Sequence, residues 1–266
     1  MDQLQTLMQR LKLGYELPDP TDAELEAAYN RAPGNLSGYD CPKCLNRGYS
    51  WRVTEGRRTA VECACMATRR AQQRMEKSGL GGLLGRYTFE NFEQREDWQR
   101  EAVQKARAFY RGAAEWFYIA GQPGCGKTHL CTALVGKLIE SGRDTRYLRW
   151  VEDSQAIRFA GYEDREQLVR RYQVCGLLYI DDFLKTQQGE KPDKRDVQLA
   201  FELVNHRYVN HLPTIFSSER SPAEIMQIDE ALGSRIHERA KGCTVLIGRN
   251  TGRNWRLRKE ADVWDA

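Results

Sequence analysis

The chain has 266 residues, 41% of them hydrophobic, and a formal net charge of +4. That apolar content excludes a wholly disordered chain, and the length suits one large domain or a main domain with an appendage. The opening MDQLQTLMQRLKLGYEL has no apolar core long enough for a signal peptide, and no stretch reaches the roughly 18 apolar residues of a membrane span, so a cytoplasmic protein without a membrane partner is expected.

Residues 1–38 read as polar and partly helical, with Thr21 as an N-cap and Glu24 three residues on. Cys41 and Cys44 form a C-x2-C pair; eighteen residues later come Cys63 and Cys65, a C-x-C pair. Between the pairs, YSWRV and TAVEC read as two short strands around the turn TEGRRT. Such a hairpin delivers one thiol pair from each end, and four thiolates close a tetrahedral Zn²⁺ site. A C-x-C disulfide is strained, and a reducing compartment disfavours it. No histidine precedes His129, so the expected zinc ligands are all cysteine: Cys41, Cys44, Cys63 and Cys65. Cys125, Cys131, Cys175 and Cys243 lie in apolar segments and read as core.

Residues 67–88 begin as a basic helix pattern and continue as the glycine-rich SGLGGLLG, read as a hinge. Residues 96–112 place Trp98, Ala102, Ala106 and Phe109 at helical spacing. Next, the apolar WFYIA reads as a buried strand, GQPGCGKTHL as a loop, and HLCTALVGKLIESG as a helix ending near Gly142. The loop carries G-x4-G-K-T as Gly121, Gly126, Lys127 and Thr128, in the strand–loop–helix context that a phosphate loop requires. Gly121, Gln122, Pro123, Gly124, Cys125 and Gly126, with His129 just beyond, are the expected ATP-binding residues. Their backbone and the helix N-terminus attract phosphate, Lys127 bridges the β- and γ-phosphates, and Thr128 holds Mg²⁺.

DTRYLRWV reads as a strand, and SQAIRFAGYEDREQLVRRYQ as one helix of mixed charge. GLLYIDDF is an apolar run ending in two acids. A central parallel strand reads this way, and its carboxyl end is where ligands sit. There Asp181 would hold Mg²⁺ and Asp182 would polarise the attacking water. RDVQLAFELVNHRYVNHL puts Val197, Ala200, Phe201, Val204 and Tyr208 on one helical stripe. PTIFSSE reads as a strand, IDEALGSRIHERAKG as a helix and CTVLIG as a last strand. The alternation predicts an α/β fold with a parallel sheet. Eight basic residues lie from Arg235 to Glu260, against the acids Glu238 and Glu260. A local basic surface of this kind suits phosphate.

These motifs together resemble the DnaC/DnaI-type loaders of bacterial and phage replicative helicases, which are AAA+ ATPases. The likeness rests on the cysteine cluster, YTFENF, GQPGCGKTHL, LLYIDDF, FELVNHRYVNHLPTIFSSE and IDEALGSRIHERA. It implies an AAA+ P-loop sheet flanked by helices without a full helical lid, plus a small N-terminal zinc-binding domain. The implied domains are a helicase-binding zinc ribbon over 1–66, a linker over 67–88, an ATPase domain over 89–250 and a tail over 251–266. The implied partners are a hexameric replicative DNA helicase, single-stranded DNA and neighbouring copies of the chain. Arg235 matches the arginine finger that reaches a neighbour's γ-phosphate, and Arg239 is the second candidate. The expected catalytic residues are then Lys127, Asp182 and Arg235. Arg146, Arg149, Arg158, Arg170 and Arg171 lie where the family carries DNA-binding elements, and Phe159 and Tyr162 could stack on bases.

Two departures stand out. The family places an asparagine that senses the γ-phosphate where this chain has Glu219, so sensing falls to Ser218 or hydrolysis is slow. The acid pair is Asp181-Asp182 rather than the Asp-Glu of many AAA+ enzymes, which suits weak, switch-like turnover. An IstB-type transposition accessory ATPase and a zinc-ribbon adaptor using ATP only as a switch are the alternatives.

Overall fold

The computed structural model describes residues 19–77, 79–186 and 190–256, and the chain divides into two units, Met1–Met66 and Ala67–Ala266. In the first unit, helix α1 (Asp22–Tyr29) starts on a capping box. The Thr21 hydroxyl accepts from the Glu24 N–H at 3.3 Å, and the Glu24 carboxylate accepts from the Thr21 N–H at 2.8 Å. Strands β1 (Tyr49–Thr54) and β2 (Arg57–Glu62) pair antiparallel with Thr54 opposite Arg57. Glu55 (φ 52°) and Gly56 (φ 72°) form the two-residue turn whose twist suits a hairpin. Asp22 accepts from both turn N–H groups, at 2.7 and 2.9 Å. Asn30 bonds both the N–H and the carbonyl of Trp51, at 2.9 and 2.8 Å. Polar bonds thus brace the hairpin; of its two strands, only Val53 is buried.

In the second unit, residues 67–88 carry most of α2 (Cys65–Lys77) and the single turn α3 (Gly81–Leu84). They contribute Ala71, Met75 and Leu80 to the core. Helix α4 (Asp97–Tyr110) buries Ala102, Val103, Ala106 and Phe109 and leaves Trp98 partly buried. Strand β3 (Trp116–Ala120) is buried at every position, as a strand covered on both faces must be. Helix α5 (Lys127–Glu140) follows, and Gly142 beyond it takes φ +86°.

Strand β4 (Thr145–Arg149) runs straight into α6 (Trp150–Phe159), and α7 (Tyr162–Gln173) is separate. The one helix expected over 154–173 is therefore two. Ala160 and Gly161 are extended (ψ 150° and 161°), which interrupts the helical ladder. Phe159 and Tyr162 flank this corner, 81% and 85% exposed.

Then come β5 (Leu177–Asp181), α8 (Lys194–Val209), β6 (Thr214–Ser218), the short α9 (Pro222–Met226), α10 (Glu230–Arg239) and β7 (Thr244–Leu246). The strands form one all-parallel sheet ordered β4-β5-β6-β3-β7. Alternating side chains divide the core into two layers. Phe117, Ile119, Tyr179 and Ile215 pack with α4 and α5, whereas Trp116, Tyr118, Ile180 and Phe216 pack with α6, α7, α8 and α10. The α/β architecture expected from the alternation is the one found. No helix of the described residues is long and apolar enough to cross a membrane.

The stripe expected on α8 shifts. Its fully buried residues are Leu199, Ala200, Leu203, Val204 and Arg207, with Phe201 and Tyr208 only partly covered. Arg207 hides the pattern, because a charged residue reads as surface. Its guanidinium donates to Thr214 Oγ1 at 2.8 Å, to the carbonyls of Tyr172, Gln173 and Cys175 at 2.9, 3.0 and 3.0 Å, and to the Pro213 carbonyl at 2.6 Å. It thereby satisfies the last carbonyls of α7 and ties them to the start of β6. The helical reading of residues 1–18, and the basic end at Arg258 and Lys259, lie outside the described residues.

Candidate functional site

Four sulfurs meet in the first unit. The ligand atoms of Cys41, Cys44, Cys63 and Cys65 all lie within 4.8 Å of one another. Cys41 and Cys63 sulfurs are 3.8 Å apart, and those of Cys44 and Cys65 are 3.6 Å apart. A tetrahedral ion with Zn–S bonds of about 2.3 Å requires sulfurs roughly 3.8 Å apart, so the donor set fits zinc. The C-x-C spacing works because Cys63 follows the end of β2 and Cys65 opens α2. Leu45 and Asn46, both at positive φ (49° and 63°), turn the chain after Cys44, and the Gly48 N–H donates to the Cys44 sulfur at 3.4 Å. Burial opposes ionisation of Cys44, yet the Gly48 N–H and the neighbouring thiols pull its pKa down to about 6. At least one thiolate is therefore available to a metal near neutral pH. The remaining cysteines, Cys125, Cys131, Cys175 and Cys243, are buried in the second unit.

In that unit the phosphate loop lies between β3 and α5. Gly124 (φ +75°) and Gly126 (φ +93°) take conformations that L side chains resist. Lys127 is only 6% exposed, and its ammonium donates to the carbonyls of Gly121 and Gln122 at 2.8 and 3.0 Å. The loop thus holds its lysine folded back on itself. Thr128 Oγ1 donates to Asp181 Oδ1 at 3.3 Å, joining the loop to the end of β5. The two residues expected to hold Mg²⁺ are therefore neighbours, and their hydroxyl and carboxylate oxygens are the hard donors that this ion prefers.

Asp181 collects more donors than the sequence suggests. Tyr147 OH, on β4, reaches its Oδ2 at 3.0 Å. Tyr179 OH reaches its Oδ1 at 2.7 Å, and Ser217 Oγ, on β6, bonds the same oxygen. Burial, and then the Asp181 charge, push the Tyr147 and Tyr179 hydroxyls well above the usual tyrosine range, so both remain donors. Adjacent strands thereby hold the carboxylate in one orientation.

Asp182 sits at φ +53° and donates its N–H to Ser217 Oγ at 3.0 Å. Its carboxylate accepts from Lys185 Nζ at 2.7 Å, and the same ammonium lies 3.3 Å from Glu219 Oε1. The carboxylate in the asparagine position is therefore paired. Ser218 is fully buried and donates to the Phe183 carbonyl at 2.9 Å, so Ser217 is the serine that meets the acid. Arg220 donates to the Leu184 carbonyl at 2.6 Å and to Thr186 Oγ1 at 2.7 Å, clamping the loop after the acids. Lys185, Ser217 and Arg220 escape a motif reading; the only hint is a basic residue three positions after an acid pair.

His129 faces away from phosphate chemistry. It stacks on Tyr87 at 4.5 Å and bonds the Thr88 carbonyl and Asn91 Oδ1 at 3.2 and 2.9 Å. Burial lowers its pKa, so it is neutral near pH 7. It docks the YTFENF segment, whose Phe92 lies beside Gly126. The stretch after β7 also reaches the loop. Gln122 exchanges hydrogen bonds of 2.8 Å with the backbone of Asn250, and the Trp255 N–H donates to the Gly124 carbonyl at 3.0 Å.

Arg235, on α10, donates to the Ala231 carbonyl at 2.8 Å and lies over the Phe201 and Tyr208 rings. Arg239 is engaged by Glu115 at 3.0 Å and by the His211 ring at 3.1 Å, which gives it a structural role. Arg158 likewise pairs with Asp193 and Asp196, at 2.8 and 3.4 Å. A cleft elsewhere in this unit is lined by Arg74, Lys77, Arg146, Arg149 and Arg171, with Tyr147, Tyr172 and the single acid Asp153. Arg146 Nε is buried there without a hydrogen-bond partner among the described residues. Burial, followed by the charges of Arg74 and Arg171, lowers its pKa.

Over residues 83–241 the chain matches the bacterial DnaA ATPase domain. It is 30% identical over 214 residues to the uncharacterized protein YqaM of Bacillus subtilis (strain 168), covering 76% of this chain and 66% of that protein, just under two thirds of its length. It is 30% identical over 232 residues to the phage-like element PBSX protein XkdC of the same strain, covering 81% of this chain and 85% of that protein. It is 26% identical over 201 residues to the replicative helicase loader DnaC of Escherichia coli (strain K12), covering 72% and 78%. Among solved structures, the DnaC helicase loader superposes with a TM-score of 0.52 at 18% identity, covering 62% of this chain and 98% of that one, which shows a shared fold. The replication initiator DnaA bound to AMPPCP and single-stranded DNA superposes with a TM-score of 0.50 at 25% identity, covering 66% and 54%.

Proposed function

We propose, because the chain belongs to the bacterial DnaA ATPase-domain family and is of the DnaC/DnaI type within the AAA+ ATPases, that it is an ATP-dependent loader of a hexameric replicative DNA helicase. The observation that carries the ATP half is the Thr128–Asp181 bond at 3.3 Å, which joins phosphate loop and acid strand. Lys127 exchanges its loop carbonyls for the β- and γ-phosphates. Thr128 and Asp181 would hold Mg²⁺, which when bound would neutralise phosphate charge. Asp182 orients the attacking water once Lys185 releases it. Arg235 serves a neighbouring copy, so the chain self-associates through its ATP interface. The helicase half rests on the likeness to DnaC, and the zinc-bearing first unit is the part that grips the helicase.

Mixing the full chain with a bacterial hexameric replicative helicase tests this reading. A stable complex by size-exclusion chromatography, and ATP-dependent transfer of the helicase onto single-stranded circles, are expected. No complex, with duplex DNA rather than single strands stimulating hydrolysis, would favour the transposition-accessory alternative. ATP binding without turnover would favour the adaptor.

The basic cleft is the proposed path for the DNA backbone. Asp144 engages Arg74 and Asp153 engages Arg149, yet Lys77, Arg146 and Arg171 add further positive charge that suits phosphates, and Tyr147 both lines the cleft and bonds Asp181. The exposed Phe159 and Tyr162 offer stacking surfaces for bases. Reversing Arg146 and Arg171 to glutamate should weaken single-stranded DNA binding across all sequences and flatten its salt dependence by about one unit of slope for each phosphate left unneutralised. Fluorescence anisotropy at several salt concentrations reads both effects. An unchanged slope would take the cleft off the DNA path.

A further inference from the structure

Glu219 is the chain's departure at the position where the γ-phosphate is sensed, and the structure supplies what offsets it. Lys185 Nζ lies 2.7 Å from Asp182 Oδ2 and 3.3 Å from Glu219 Oε1. Its backbone is fixed. Asp182 and Leu184 both stand at φ +53°, the Phe183 N–H donates to the Ser217 carbonyl at 2.8 Å, and Arg220 holds the Leu184 carbonyl. Its side chain is 34% exposed and ends in a compact charge on a flexible stem. Burial lowers its basicity, but the two carboxylates outweigh that and hold the ammonium above its usual range. Asp182 is adjacent to Asp181, which Thr128 contacts, and Glu219 is among the charges felt by the Cys125 thiol.

We propose that Lys185 is the γ-phosphate sensor of this site, a reading that rests on the ATPase function proposed above. Two carboxylates at the ends of adjacent strands would repel a triphosphate; one ammonium between them turns the group into a switch. Without a γ-phosphate, Lys185 stays on Asp182 and Glu219 and occupies the acid that would orient water. With one, the ammonium moves to the phosphate, Asp182 is released, and Glu219 keeps the returning position open. Glu219 therefore acts as the resting partner of Lys185 and takes over no role of the missing asparagine.

The test compares wild type, K185A, K185R and the double variant K185A/E219N, using equilibrium titration with ATP and with ADP alongside steady-state hydrolysis. For K185A, the preference for ATP over ADP should fall about tenfold or more, the scale of a single charge-assisted bond, with ADP affinity unchanged. K185R should keep the preference. The double variant should recover part of it, since an asparagine amide can donate to the γ-phosphate. K185A that retains the wild-type ratio, or loses ATP and ADP affinity equally, overturns the sensor. A wild-type chain that binds neither nucleotide overturns the ATPase reading itself, so the two failures are distinguishable.

Discussion

Alanine at position 127 removes measurable ATP affinity. Lys127 is the cation on the loop itself, and its side chain is almost wholly buried against the Gly121 and Gln122 carbonyls. Losing it leaves those carbonyls without their ammonium and the phosphates without their neutralising charge. Hydrogen bonds to charged groups are worth about 1.5–3 kcal/mol each, so removing two phosphate bonds weakens binding by roughly a hundredfold to ten-thousandfold. The fold should survive, because α5 is anchored by Leu130, Leu134 and Leu138 rather than by Lys127. Calorimetric titration with ATP reads the loss, and a thermal melt with no nucleotide present confirms the fold. Retained tight binding by a folded variant would mean that the loop does not wrap a triphosphate.

Stripping metal from the thiol cluster unfolds the hairpin region around residues 40–66. Among its described residues the first unit has almost no apolar core to fall back on. Every position of β2 is exposed, Val53 alone is buried on β1, and the buried cluster consists of Cys41, Cys44 and Cys65 packed with Tyr39, Cys63 and Met66. A bound zinc would then supply the main folding free energy of this unit, of the order of 10–16 kcal/mol for a structural zinc site at neutral pH. One zinc per chain by elemental analysis is expected. Chelation with thiol capture should release it and abolish amide-exchange protection across β1 and β2, while ATP titration of the second unit is unchanged. A chain purified with zinc present that holds none, yet keeps the hairpin protected, would end the metal assignment. Helicase binding that survives chelation would separate the zinc from the grip.

Much of this molecule was legible before any coordinates. Spacing alone marked the four cysteines whose sulfurs meet, since two short pairs joined by a hairpin bring one pair from each end. The glycines and lysine of the loop were equally plain, because a phosphate cradle tolerates few other sequences. The helix expected over 154–173 failed for a local reason: Ala160 and Gly161 do not announce an extended pair within a helical pattern. Arg158 stood among the DNA-contact candidates and Arg239 as the second arginine-finger candidate, but acids remote in the chain hold both. Arg207 looked like surface because its partners lie off its own helix, three carbonyls more than thirty residues back and two groups just beyond the helix end.

By itself, then, the sequence determined what local order can carry: the strands, the phosphate loop, the tandem acids and the thiol pairs. Only the tertiary structure decided the strand order, and with it which side chains meet at the sheet's carboxyl edge. Placing β5 between β4 and β6 brings Tyr147 and Ser217 onto Asp181 and sets Lys185 between Asp182 and Glu219. Periodicity records which face of an element is covered; it does not record which element covers it. In a parallel sheet each strand's partners come from distant parts of the chain, so the hydroxyl network and the lysine switch exist only once the layers are assembled.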